Sequence, residues 1–157
     1  MGGSTVADVL TPAEVLAAIP QQEPFRFVDD ILAIDDDHIV ARYRFRPEAE
    51  FYRGHFPDRP ITPGVLLIES MAQAGVVGLG IYLLAKERGS DALANFVTFF
   101  TDATVEFSGI VRPDERVVIT GRKVLFRRLK IRSKVEMRLE NGTLVCVGVL
   151  AGIGVAK

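Results

Sequence analysis

Gly54-His55-Phe56-Pro57-Asp58-Arg59-Pro60-Ile61-Thr62-Pro63-Gly64-Val65-Leu66-Leu67-Ile68-Glu69-Ser70-Met71-Ala72-Gln73 is the stretch from which the fold is read. Pro57, Pro60 and Pro63 restrict φ and disfavour helix at the residues before them, so His55 belongs to a loop of largely preset shape. A helix can begin only after Pro63. From Gly64 the sequence stays strongly apolar until Lys86, which predicts one buried helix over 64–88 with Glu69 and Gln73 as its polar exceptions. Gly89-Ser90-Asp91 ends it. Glycines 75, 78 and 80 each weaken a helix by roughly 1 kcal/mol relative to Ala, so close approach of a sheet, of a second helix or of a ligand channel has to offset them.

Outward from the helix, the chain reads as strands. Thr11-Pro12-Ala13-Glu14 carries a cap residue, Pro at the first helical position and an acid at the third, predicting a short helix to Ile19 that Pro20 stops. A strand is expected over 25–32, a turn at Asp35-Asp36-Asp37, and a second strand over 38–45 with Ile39, Ala41, Tyr43 and Phe45 on one face. Beyond the helix, strands are expected over 95–107, 116–126, 129–139 and 143–153, with Asn141-Gly142 as a hairpin turn. Helix, two strands, long helix, four strands is an α+β pattern. One antiparallel sheet curling round one buried helix satisfies it.

The 157 residues, 48% apolar and 25% charged, make a single domain over 1–157, with 1–10 expected as a flexible tail. A net charge of −1 gives no global attraction to nucleic acid or membrane. The lone Cys146 lies in an alternating apolar run and reads as core, and two histidines with one cysteine leave few ligands for a metal, so none is expected. The helix is about as long as the roughly 20 apolar residues that span a bilayer. Its Glu69, Gln73 and glycines, and strands that need a cover, make it the core helix of a cytoplasmic protein. No secretory or myristoylation signal is read at the N-terminus.

The central stretch also carries chemistry. A buried Glu69 either pairs with a cation such as Arg53 or Arg59, or stays unpaired with its pKa raised by desolvation, as suits a general acid. Gln73, one turn on, can hydrogen-bond it. His55 can accept a proton at neutral pH, whereas His38, after three aspartates, reads as exposed and structural. The first N–H groups of the helix, at Gly64, Val65 and Leu66, lack intrahelical partners and can hold a developing oxyanion. A base, an acid and an oxyanion site suffice to remove a proton α to a carbonyl and expel a β-hydroxyl. The run Arg122-Lys123, Arg127-Arg128, Lys130, Arg132 and Lys134 is read either as a solvated strand face or as a docking patch for an acidic partner. Nucleic acid is disfavoured, since no stacking motif accompanies the charges.

Gly54-His55-Phe56-Pro57-x-Arg59-Pro60-x-x-Pro63-Gly64-Val65-Leu66-x-Ile68-Glu69-x-x-Ala72-Gln73 resembles the signature of the FabZ-type 3-hydroxyacyl-(acyl-carrier-protein) dehydratases. The resemblance extends to Ile19-Pro20, Pro24-Phe25 and Val28-Asp29 upstream and to Val105-x-Phe107 and Val111-Arg112-Pro113 downstream. It implies a hotdog fold, a six-stranded sheet wrapped round the central helix, with no cofactor, because the acyl chain arrives on the phosphopantetheine arm of an acyl carrier protein. It further implies His55 as the base at C2, Glu69 as the acid for the departing hydroxyl and Gly64, with Val65 beside it, at the thioester oxygen. Gln73, Pro57 and Pro63 support the site. It implies a homodimer that pairs the histidine of one subunit with the acid of the other, and in some members a hexamer. Glu69 stands where the related dehydratase-isomerases have Asp. Gln21-Gln22-Glu23, Asp30, Asp58 and Thr62 depart from the family's usual residues around the entrance, leaving acyl type and pathway open. A hotdog thioesterase or a non-catalytic carrier-binding subunit are the alternatives.

Overall fold

The computed structural model describes residues 8–157. Thr11 caps helix α1 (Pro12–Ala18) in a reciprocal box with Glu14, as its spacing predicts. Strands β1 (Asp30–Ile34) and β2 (His38–Arg44) follow, then a 3₁₀ turn at Glu50–Arg53 and the long helix α2 (Gly64–Arg88). A second 3₁₀ turn, Ser90–Asn95, leads into β3 (Phe96–Phe107), β4 (Arg116–Arg127), β5 (Lys130–Leu139) and β6 (Leu144–Ala156). All pairings are antiparallel in one six-stranded sheet of order β1-β2-β4-β5-β6-β3. The sheet packs around α2, whose residues 71–79 are all buried. This is the hotdog arrangement. The segment long and apolar enough to cross a membrane is thus the core helix.

Alternation along the strands sets the inner face. On β5 Ile131, Ser133, Val135 and Met137 are buried while Lys134 and Arg138 are exposed, a period of two. Gly75 explains one of the costly helix glycines, because a Cβ there would lie 2.5 Å from Val135 Cγ2. Gly121 of β4 faces Gly75 across the same gap, its own ideal Cβ 3.0 Å from the Gly75 Cα. Gly78 is also tight, 3.2 Å from Ile39, but at Gly80 the nearest atom is 3.8 Å away. Sheet approach therefore accounts for the first two and leaves the third without a packing reason.

Two expectations are corrected and one turn gains a conformation the sequence did not indicate. The first strand begins at Asp30 rather than at 25, because the backbone of Phe25 and Phe27 bonds to side chains of α2 instead of to a strand. Residues 25–28 form an extended strap, held from the other side by Phe27, which meets the Tyr43 ring edge-on at 5.7 Å. The β4–β5 connection is a tight turn at Arg128 and Leu129, both with positive φ (51° and 64°), where no Gly or Asn announces it. Of the expected tail, Asp8 accepts the Ser90 N–H at 2.7 Å and Leu10 is buried, so its end is part of the fold, and residues 1–7 lie outside the described ones.

Candidate active site

His55 sits between the 3₁₀ turn and α2 in a loop tied at several points. Its N–H donates to Phe51 O (3.0 Å), its carbonyl accepts from Ile61 N–H (3.0 Å), and Thr62 N–H donates to Val111 O (2.8 Å). Pro57 lies in the turn closed by Arg59 N–H to Phe56 O (3.0 Å). Tyr52 and Thr62 join their hydroxyls at 2.6 Å beneath the loop, a use for a threonine that the sequence did not announce. The His55–Phe56 peptide is cis.

The imidazole Nδ1 lies 3.0 Å from Ile61 O. A carbonyl only accepts, so Nδ1 carries a hydrogen, and in the neutral ring the lone pair is on Nε2. The half-buried ring stacks on the exposed Phe56, centroids 4.4 Å apart. His38 is different. It lies in the aspartate turn, with Nδ1 2.8 Å from Asp35 Oδ1 and its N–H on the same oxygen, a local structural role as expected, though the residue is partly buried rather than exposed.

Glu69 lies on the second turn of α2, half-buried. Burial pushes its carboxyl above the ordinary range, and the hydrogen bond from Gln73 Nε2 to Oε1 (3.0 Å) offsets this in part. Among the described residues it has no ion-pair partner. Arg53 reaches Glu50 instead (3.6 Å), which removes the cation-paired reading for that arginine. Gln73 is fully buried and binds more than Glu69, since its Oε1 accepts the Phe27 N–H (2.7 Å) and its Nε2 donates to Phe25 O (2.9 Å). Sequence reading missed the strap side of this contact, because strap and helix are more than forty positions apart.

At the helix start, Pro63 is the cap residue and its carbonyl accepts the N–H groups of Leu66 (3.0 Å) and Leu67 (3.2 Å). This corrects the expected trio of free donors, because Leu66 is spent. Gly64 and Val65 remain as the donors at the positive end of the helix. A Cβ on Gly64 would meet the Phe107 ring at 3.2 Å. Val65 is 73% exposed, and Phe56 and Phe107 are about half so, leaving an apolar rim round the helix start.

Residues 19–150 match the family model described as a FabA-like domain. The chain belongs to the FabA-like family. A relative from Streptococcus pyogenes, the 3-hydroxyacyl-(acyl-carrier-protein) dehydratase FabZ, is 34% identical over 138 residues, which is 87% of this chain and 93% of the relative. Among solved structures, the dehydratase heterocomplex ApeI:P of Xenorhabdus doucetiae has a TM-score of 0.70 at 17% identity, covering 94% of this FabA-like chain and 93% of its own. A mutant thioesterase PA1618 of Pseudomonas aeruginosa has a TM-score of 0.67 at 12% identity, covering 98% and 100%. At such identities these two share the fold with the FabA-like chain.

The basic run lies at one end of the sheet. Arg122 stands opposite Lys134 and Arg127 opposite Lys130 in the β4–β5 register. Lys123 is engaged elsewhere, its N–H on Asp37 O (2.8 Å) and its Nζ 3.7 Å from Asp37 Oδ1, and Arg132 lies 3.7 Å from Asp102.

Proposed function

We propose that this chain is a 3-hydroxyacyl-(acyl-carrier-protein) dehydratase, eliminating water from a 3-hydroxyacyl thioester to give a trans-2-enoyl thioester. The observation that carries the reading is a histidine with Nδ1 committed to a carbonyl and, among the described residues, no partner on Nε2, together with an acid that has no cation beside it among those residues and is biased by burial towards its protonated form, in a chain of this family. His55 Nε2 takes the C2 proton. The Gly64 and Val65 N–H groups stabilise the charge on the thioester oxygen. As the C2=C3 bond forms, the C3–O bond breaks and Glu69 supplies the proton with which the hydroxyl leaves as water. Return of the proton from His55 to Glu69 through solvent resets the site.

We assign the working state to a cytoplasmic homodimer, with His55 of one copy opposite Glu69 of the other. Two features support this. No hydrogen bond joins His55 to Glu69 within the described chain, and the twelve-residue β3 is an edge strand with Phe99, Phe100 and Phe107 exposed, a surface that proteins seldom leave uncovered. The acyl carrier docks, on this reading, at Arg122, Arg127, Arg128, Lys130 and Lys134. Like charges placed opposite one another destabilise a sheet, and an acidic partner relieves them.

The test is mass spectrometry of carrier-bound 3-hydroxyacyl substrates of graded chain length. The expected product is the enoyl thioester, with His55→Ala and Glu69→Gln each lowering kcat by about 100-fold or more. Release of free acid instead assigns a thioesterase, and carrier binding without turnover assigns a non-catalytic subunit. In the same assay Arg127→Glu raises KM for the carrier-bound substrate and leaves KM for a short pantetheine thioester unchanged; equal effects on both remove the docking assignment.

A further inference from the structure

We propose that the strap over residues 25–27, acting through Gln73, determines which oxygen of Glu69 carries the transferable proton. Gln73 is thereby a positioning residue, and the proposal rests on the dehydratase reading above. The argument starts from the amide itself. Its Oε1 accepts from the Phe27 N–H at 2.7 Å, and its Nε2 donates to Phe25 O at 2.9 Å. A backbone N–H only donates and a backbone carbonyl only accepts, so these two groups of opposite polarity allow one amide orientation. The flipped amide would set carbonyl against carbonyl and N–H against N–H at a fully buried side chain.

The amide nitrogen has two hydrogens. One is spent on Phe25 O, and the other lies on Glu69 Oε1 at 3.0 Å. An N–H cannot accept, so Oε1 is held as an acceptor and the proton of neutral Glu69 resides on Oε2. A second tie secures the strap, because Ser70 Oγ donates to Phe27 O at 2.8 Å. On the helix side, Gln73 opens the widened π-helical segment Gln73–Gly78, whose Gly75 carbonyl accepts from the buried Ser133 Oγ at 2.7 Å. The strap thus holds the one amide that faces the acid, and the sheet fastens the turn of helix that carries it. The Gln73 hydrogen bond lowers the pKa of Glu69 while burial raises it, and no charged side chain of helix, strap or sheet contributes to that balance. In the proposed dimer the titratable group facing Glu69 is the partner's His55.

The experiment compares kcat–pH profiles of the intact dimer for wild type, Gln73→Met, which keeps the length but cannot donate, and Ser70→Ala, which loosens the strap with Gln73 in place. For Gln73→Met we expect kcat reduced about tenfold with KM little changed, and the alkaline limb, set by loss of the Glu69 proton, moved to higher pH by about one unit. Ser70→Ala should move it the same way by less. A fall in kcat with the limb unmoved overturns the proposal, since loss of packing alone gives that result. If Gln73→Met does not form the dimer, an unmoved limb in Ser70→Ala overturns it. Should wild type not eliminate water, the dehydratase reading fails separately. The Glu69 carboxyl is then titrated by ¹³C NMR in glutamate-labelled wild type and Ser70→Ala, and equal titration in the two overturns the inference.

Discussion

Burial of Glu69 raises its carboxyl pKa, so the folded chain holds that proton over a pH range in which the unfolded chain has released it. The associated stability is complete below the ordinary carboxylate value of about 4.3 and is lost as pH rises through the higher folded value. At neutral pH the side chain is therefore a liability to the fold. Glu69→Gln, which can still accept from Gln73 but carries no charge, should unfold at a higher urea concentration than wild type at pH 7, with the slope unchanged and the difference vanishing near pH 4. Equal midpoints at pH 7 would contradict this. At the residue scale, His55 and Glu69 stood out in the sequence as a histidine among prolines and an acid among apolar residues. The imidazole tautomer did not, because Ile61 O, which decides it, is brought round by the turn at Arg59.

Among elements, α2 carries the clearest contrast between neighbours of one residue type. Gly75→Ala drives a methyl to 2.5 Å from a Val135 side chain that is itself buried, and we expect a loss of about 1–3 kcal/mol. Gly80→Ala meets nothing closer than 3.8 Å and should gain up to about 1 kcal/mol from helix propensity. Chemical unfolding of the two variants checks the opposite signs. Gly80 borders an apolar cavity with Ile81, Leu84, Phe126 and Leu129, and an added methyl makes ordinary contact with Ile131 at 3.8 Å. Helix starts, caps and strand alternation were legible because Pro, Thr, Glu and the period of two act locally. The strap was not legible, because Phe27 has the composition of a strand while Gln73 and Ser70 take its N–H and C=O. Nor was the left-handed backbone of the β4–β5 turn at Arg128 and Leu129, which strand pairing on both sides imposes although the residue types do not favour it.

For the molecule as a whole, the proposed two-fold assembly makes a prediction independent of any single variant. Dimers mixed from His55→Ala and Glu69→Gln chains contain one site with both groups intact if the pair forms between copies, and none if it forms within one. Random mixing of the two inactive proteins through a dissociated state should then restore about a quarter of wild-type activity. No recovery would place both groups in one chain. The sequence by itself determined the order of helices and strands, where α2 begins and ends, and which two residues could act as base and acid, because these follow from dihedral limits, periodicity and ionisable groups within a few positions of one another. Only the tertiary structure decided that β3 lies at the sheet edge, that Gly75 and Gly121 let sheet and helix touch, and that a strap over 25–27 sets the Gln73 amide against Glu69. Each of these is a meeting of backbone or side chains far apart in the chain, and its geometry exists only once the helix has been wrapped.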